Sequence, residues 1–212
     1  DRAIAGADRE LASDDLLLLD SGGHYRDGTT DITRTIAIGT PPHGAVAAYS
    51  HVLQSHIHLA MAKFPTGTNG KQLDAIARAP LWAAGLDFAH GTGHGVGHVL
   101  SVHEGPASIS KRGDVALEAG MVLSNEPGYY QTGDWGIRIE NLIVVTSAKQ
   151  TGFLEFETIT LCPLDRRLID KTLLDAGEIG WIDHYHRAVY EQLHPHLSQM
   201  AKSWLEAACC PL

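Results

Sequence analysis

The chain reads as an α+β protein. Its apolar patterning runs from strands to two helices, back to strands, and then to a helical tail. A parallel α/β sheet would instead show strict alternation of strand and helix. The 212 residues are 44% hydrophobic, enough to bury a substantial core. No low-complexity linker or shift of composition marks a boundary, so residues 1–212 read as one domain with a helical tail over about 175–208.

The elements follow in order. Leu16–Asp20 is a short apolar run read as a buried strand, stopped by Ser21, Gly22 and Gly23. Residues 29–38 are rich in β-branched side chains and read as a second strand, with a hairpin-like return around Tyr25 to Gly28. From His43 to Phe64 the spacing turns helical. Val46, Tyr49, Leu53, Ile57, Ala60 and Met61 share one face, Pro41 and Pro42 suit the start, and Pro65 suits the end. A second helix is expected from Lys71 to Ala84, closed by Gly85 and interrupted or kinked at Pro80. Strands are expected over 96–102, 121–124, 137–145 and 153–160. The tail from about Glu178 to Ala208 reads as helix with a break near Pro195, and Cys209 and Cys210 read as incidental residues of a frayed end.

Composition excludes several classes. The formal charge is −9, from 16 Lys and Arg against 25 Asp and Glu, with no basic cluster. That argues against nucleic acid or an anionic membrane as partner. No apolar run reaches the roughly 18 residues that span a bilayer, and no signal-peptide pattern is present. The three cysteines, Cys162, Cys209 and Cys210, form no disulfide framework, so a reducing, cytoplasmic location is expected. Histidine is abundant, at 13 residues, and several fall between His90 and His103. His184, His186, His194 and His196 read as surface histidines.

Five residues have the chemistry of metal ligands: Asp20, Asp31, His94, Glu126 and Glu140. Each alone has an ordinary explanation. An Asp at a strand end makes turns, and a Glu within a strand faces water. The HGTGHGVG segment lacks the Lys-Ser/Thr of a phosphate loop, and its glycines at 91, 93, 95 and 97 miss the dinucleotide spacing. Together they say more. Asp20 and Glu126 each follow an apolar strand, which would place a carboxylate near the core. Four carboxylates in a low-dielectric site repel one another unless cations neutralise them, and two divalent ions balance the charge. An oxygen-rich set with one imidazole suits Mn, Co or Fe better than a structural zinc.

The stretches DSGGHYRDGTTDITRT, HGTGHGVGHVLSVHEGP, NEPGYY and GIRIEN resemble the Xaa-Pro aminopeptidases (aminopeptidase P). These belong to the pita-bread metallopeptidases, with prolidase, methionine aminopeptidase and creatinase. The matched blocks run from about Leu16 to Asp170, and the tail is also similar. The resemblance implies a creatinase/aminopeptidase-like catalytic domain, with a curved, mostly antiparallel sheet flanked by helices. It implies two divalent ions, Mn²⁺ foremost, with Co²⁺, Fe²⁺ or Zn²⁺ as substitutes. Asp20, Asp31 and Glu140 would hold one ion. His94 and Glu126, with the same bridging Asp31 and Glu140, would hold the other. A bridging water or hydroxide would attack, with Glu126 as general base. His90 and His103 would bind substrate and assist proton movement or stabilise the tetrahedral intermediate. Arg138 would orient a carboxylate beside the metals.

The implied substrate is a peptide with proline in second position, from which the N-terminal residue is removed. Other uses of the same scaffold are a prolidase-type dipeptidase, a promiscuous phosphoester hydrolase, a non-catalytic peptide-binding module and an inactive remnant. The resemblance places an N-terminal domain, the front of the catalytic domain and a pocket-lining histidine before Asp1, and the chain is expected to lack them. A wider, wetter pocket and a homodimer that covers exposed apolar surface are therefore expected.

Overall fold

The computed structural model describes residues 10–99 and 101–212. Strands β1 (Leu16–Tyr25) and β2 (Gly28–Ala37) form one antiparallel hairpin, in a register that pairs Leu16 with Ala37 and Tyr25 with Gly28. Strand β1 runs on through Ser21–Gly23, and it is not buried: Leu19 is 52% exposed. Among the described residues its strand partner is β2 alone, which makes it an edge there. A run of leucines does not distinguish an edge strand from a central one. Strand β2 is the inner strand, and its Asp31, Thr33, Arg34, Thr35 and Ala37 are buried.

Helix α1 (Ala45–Ala60) is the spine of the core. Tyr49, Val52, Leu53 and Ile57 are fully buried on it, each worth roughly 1.5–3 kcal/mol of burial. The chain enters through Gly44 at φ +79°, a left-handed conformation that suits glycine. The helix ends at Ala60, so Met61 leaves the expected buried face and is 51% exposed. Pro65 ends the short strand β3 (Lys63–Pro65), not the helix. Helix α2 (Gly70–Ala83) starts on a capping box between Asn69 and Gln72. It is not interrupted at Pro80, which lies one turn from the end and removes a single backbone donor.

The expected strand over 96–102 does not form. Strands β4 (Gly93–His94) and β5 (Ser108–Ile109) make a two-residue ladder instead, and the chain between them turns tightly, with Gly97 N donating to Ser101 O at 2.9 Å. Leu100 lies outside the described residues. The glycines explain the course of the chain: a Cβ at Gly93 would lie 2.0 Å from Ser124 O, and one at Gly95 would lie 2.1 Å from Glu104 O. The segment folds onto its neighbours where any side chain would collide.

Strands β6 (Val122–Asn125), β7 (Gly128–Gln131), β8 (Trp135–Arg138), β9 (Asn141–Ser147) and β10 (Phe153–Thr158) follow. The expected strand over 137–145 is thus two, broken at Ile139 and Glu140. The largest sheet has the order β3-β10-β9-β6, and all recorded pairings are antiparallel. Isolated bridges Thr33–Glu140 and Gly95–Leu123 stitch the smaller ladders to it. Helices α3 (Ala176–Leu193) and α4 (Gln199–Ala208) complete the chain, separated at Pro195 as expected. His186 is buried rather than on the surface, where its Nε2 accepts from Leu164 N at 3.1 Å. The terminus is docked, not frayed: Cys209 is buried and Leu212 N donates to Asp183. Among the described residues no helix is long and apolar enough to cross a membrane.

Candidate metal centre

The hairpin explains how residues eleven apart come together. Asp20 faces Thr33 and Gly22 faces Asp31 across the ladder, so both carboxylates project from one face. Glu140 joins them because its N–H donates to Thr33 O at 3.1 Å, at the break between β8 and β9. His94 sits on β4. Glu126 follows β6 and is held by its own N–H on Thr92 O at 2.8 Å. Asp20 itself is half-exposed, not near the core, because β1 is an edge.

All five expected ligands line one cavity of about 380 Å³, together with His24, Thr29, Val102 and His103. Three groups bring ligand atoms within 4.8 Å of one another: Asp20, Asp31 and Glu140; His94, Glu126 and Glu140; and Asp31, His94 and His103. A larger, more apolar cavity of about 460 Å³ beside Trp204 of α4 holds none of these groups.

Each inner ligand has a support. Thr33 Oγ1 donates to Glu140 Oε2 at 2.6 Å. Ser124 Oγ donates to Glu126 Oε1 at 3.0 Å and accepts from His94 N at 2.9 Å. Arg138 donates to Asp20 and to Thr33 Oγ1, and its Nε lies 3.9 Å from Glu126 Oε2. Tyr130 OH accepts from Arg138 at 3.2 Å and donates to His90 Nε2 at 2.8 Å, while His90 Nδ1 donates to Gly91 O. Both nitrogens of His90 are thus engaged, burial holds its pKa below the usual value, and it does not line the cavity. His103 does line it, with its ring edge-on to His94 at 4.1 Å between centroids. Sequence reading missed Thr33, Ser124 and Tyr130. Thr33 carried a signal, two residues from Asp31 on the same strand face, and Tyr130 stood unassigned inside NEPGYY.

The residues present fit divalent cations. His94 Nδ1 donates to Gly95 O at 2.9 Å, which turns the Nε2 lone pair toward Asp31 Oδ2 at 3.4 Å and Glu126 Oε1 at 3.2 Å. That buried Nε2 has no hydrogen-bond partner. A lone pair facing two carboxylates is repulsive until a proton or a metal stands between them. Burial opposes a charge on His94, yet Asp31, the Gly95 carbonyl and Glu126 hold its pKa above normal. Burial and the neighbouring Glu126 push Glu140 up to about 8, and burial raises Glu126 as well. Four carboxylates and one guanidinium leave net negative charge, and hard or borderline divalent ions would neutralise it.

An antiparallel α+β fold with this carboxylate-rich cluster defines a scaffold suited to binding divalent metal ions. Residues 2–147 match metallopeptidase family M24, and residues 152–212 match the C-terminal region of peptidase M24. The chain belongs to metallopeptidase family M24. It is 46% identical over 213 residues to a probable Xaa-Pro aminopeptidase P of Coprinopsis cinerea, covering 95% of this chain and 34% of that protein. It therefore spans about a third of the length of such relatives. The crystal structure of X-prolyl aminopeptidase from Caenorhabditis elegans, described as a cytosolic enzyme with a di-nuclear active site, superposes with TM-score 0.93 at 44% identity, over 99% of this chain and 36% of that one. The fold is thus the expected pita-bread fold. The Xaa-Pro dipeptidase of Bacillus anthracis superposes with TM-score 0.62 at 36% identity, over 71% of this chain and 40% of that one.

Proposed function

We propose that this chain carries the metal centre of an aminopeptidase that releases the N-terminal residue from peptides with proline in second position. One observation carries the reading: Asp20, Asp31, His94, Glu126 and Glu140 converge on one cavity, with a buried His94 nitrogen aimed at two carboxylates. The likeness to Xaa-Pro aminopeptidases supports the substrate class. It extends over nearly the whole chain, whereas the likeness to the dipeptidase is partial.

Asp20, Asp31 and Glu140 would hold one divalent ion, and Asp31, His94, Glu126 and Glu140 the other. Bound there, two ions, Mn²⁺ first, would supply charge neutralisation, carbonyl polarisation and a water acidic enough to attack near neutral pH. The protein side chains do the rest. Glu126, fixed by Ser124, would accept the proton of the attacking water. Water oxygen bonds to the scissile carbonyl carbon, the C–N bond breaks, and the proton ends on the proline nitrogen. An amide nitrogen leaves only when protonated, and this one carries no hydrogen of its own in the peptide. His103, exposed at the rim beside His94, would stabilise the carbonyl oxygen or deliver that proton. His90 acts at one remove, through Tyr130 and Arg138. A cytoplasmic location suits the three free cysteines, and the exposed apolar side of β1 motivates a homodimer, which a clean monomer in sedimentation would rule out.

The test is hydrolysis of an Xaa-Pro-Xaa tripeptide by metal-stripped protein with and without Mn²⁺. Mn²⁺-dependent release of the first residue is expected. Cleavage confined to Xaa-Pro dipeptides would make it a prolidase, and cleavage confined to phosphoesters a promiscuous hydrolase. Peptide binding without turnover would leave a binding module.

A further inference from the structure

Arg34 lies in the DITRT segment, three residues after Asp31, and is buried at 5% exposure. Its guanidinium donates in three directions. Nη1 reaches the carbonyls of Thr33 at 2.8 Å and Glu140 at 2.6 Å. Nη2 reaches Asn141 Oδ1 at 2.7 Å, Cys162 O at 2.8 Å and Tyr185 OH at 2.9 Å. Nε reaches Pro163 O at 3.1 Å. All six acceptors are neutral, so the pattern is a clasp and not an ion pair. Two acceptors are backbone carbonyls of the metal centre: that of Thr33, whose hydroxyl holds the Glu140 carboxylate, and that of Glu140 itself. Three belong to the chain after β10, in the segment that carries none of the ligands. Tyr185 closes the clasp by donating to Cys162 O at 2.9 Å and by stacking on Trp181 with ring centroids 5.2 Å apart. Only a planar fork spans these directions, and an ammonium would leave acceptors unpaired.

We propose that Arg34 is a positioning residue through which residues 152–212 fix Glu140 and Thr33, and so set the affinity of the metal centre. The inference rests on the metal-centre reading above. Outer supports of metal ligands typically account for ten- to hundredfold in affinity.

The experiment is Mn²⁺ titration by calorimetry on the full chain, with thermal unfolding of the metal-free protein alongside. Arg34→Lys tests the fork directly. Tyr185→Phe removes one hydroxyl from the clasp, keeps the ring, and decides the matter where Arg34→Lys does not fold. Val189→Ala, a buried truncation one turn beyond Tyr185 on α3, lowers stability and removes no hydrogen-bonding group of the clasp. The expected result is about tenfold weaker Mn²⁺ binding in Tyr185→Phe and wild-type affinity in Val189→Ala, although both lower the melting of the metal-free protein. Wild-type affinity in Tyr185→Phe, or equal loss in Val189→Ala, overturns the proposal while the metal centre stands. A wild-type chain that takes up no Mn²⁺ overturns the metal-centre reading and this proposal together.

Discussion

Asp31 and Asp20 face the same cavity from the same hairpin, yet the fold treats them differently. The Asp31 side chain is 9% exposed, on the inner strand, while that of Asp20 is 50% exposed, on the edge. The contrast extends to their neighbours. Glu140 and Glu126 each accept from a fixed hydroxyl, and His94 is locked by a backbone carbonyl. Asp20 is held by Arg138, and His103 stands in the open. The inner wall concentrates negative charge and needs rigid geometry to hold cations in it. On the proposed reading the outer wall would admit a peptide, and its groups reach in from the exposed side.

The comparison can be broken most sharply at the carboxylates. Asp31 belongs to two of the three ligand groups, Asp20 to one. Asp31→Ala is expected to abolish binding of both ions and all turnover. Asp20→Asn is expected to lose one ion and keep the other, at Asp31, His94, Glu126 and Glu140. Metal analysis of dialysed protein separates the two outcomes, and equal loss in both variants would end the distinction between inner and outer walls.

His103 sharpens the comparison next. Substitution to Ala is expected to leave both ions bound and to lower kcat roughly 10²-fold, the usual scale for a lost acid–base group. A drop in metal content instead would move His103 into the ligand set, which its grouping with Asp31 and His94 allows. Tyr130→Phe comes third. It cuts the link between His90 and Arg138 but leaves the ring in place. About a tenfold fall in kcat, with KM and metal content unchanged, is expected from a lost outer support. Unchanged kinetics would show that Arg138 needs no strut beyond Thr33 and Asp20.

The sequence was most informative where residue type and spacing met a hard physical demand. Four carboxylates and a histidine imply cations wherever they converge, and the β-branched run at 29–38 made the strand that carries Asp31 legible. The helix faces of Tyr49, Leu53 and Ile57 were legible for the same reason, since period 3.6 admits one core-facing stripe. What escaped depended on partners distant in sequence. Leu16–Leu19 has the composition of a central strand, but its edge position is set by where Glu140 bridges β2. Residues 96–102 have β-forming side chains, but the glycines before them let the chain lie against β6, and that packing overrode local propensity. Arg34 and Thr33 stood inside a recognised segment, but their hydrogen bonds run to residues more than a hundred positions away.

The last prediction concerns stability and two histidines that composition alone placed together on the surface. His184 is exposed on α3, while His186, two residues on, is 0% exposed. Burial, with the nearby Arg166 and Arg34 charges, lowers the His186 pKa from 6.5 to about 4. The sign follows from proton binding. Above pH 6.5 the imidazole is neutral in both folded and unfolded chains and contributes no pH dependence. Below it, the unfolded chain takes up a proton that the folded chain refuses until near pH 4, so stability falls as the pH falls across that window. The slope from this one group is about 1.4 kcal/mol per pH unit. Buried His56, lowered to about 3 chiefly by desolvation, adds a slope of the same sign. Glu140, raised to about 8, opposes them in metal-free protein, so the total slope is a sum and only differences isolate a residue. Urea unfolding of metal-free wild type, His186→Gln and His184→Gln between pH 4.5 and 6.5 makes that subtraction. His186→Gln should flatten the loss of stability by close to one proton's slope, and His184→Gln should leave it unchanged. Parallel curves for wild type and His186→Gln would mean that water reaches the imidazole, and that α3 packs more loosely against residues 162–168 than the hydrogen bond from Leu164 requires.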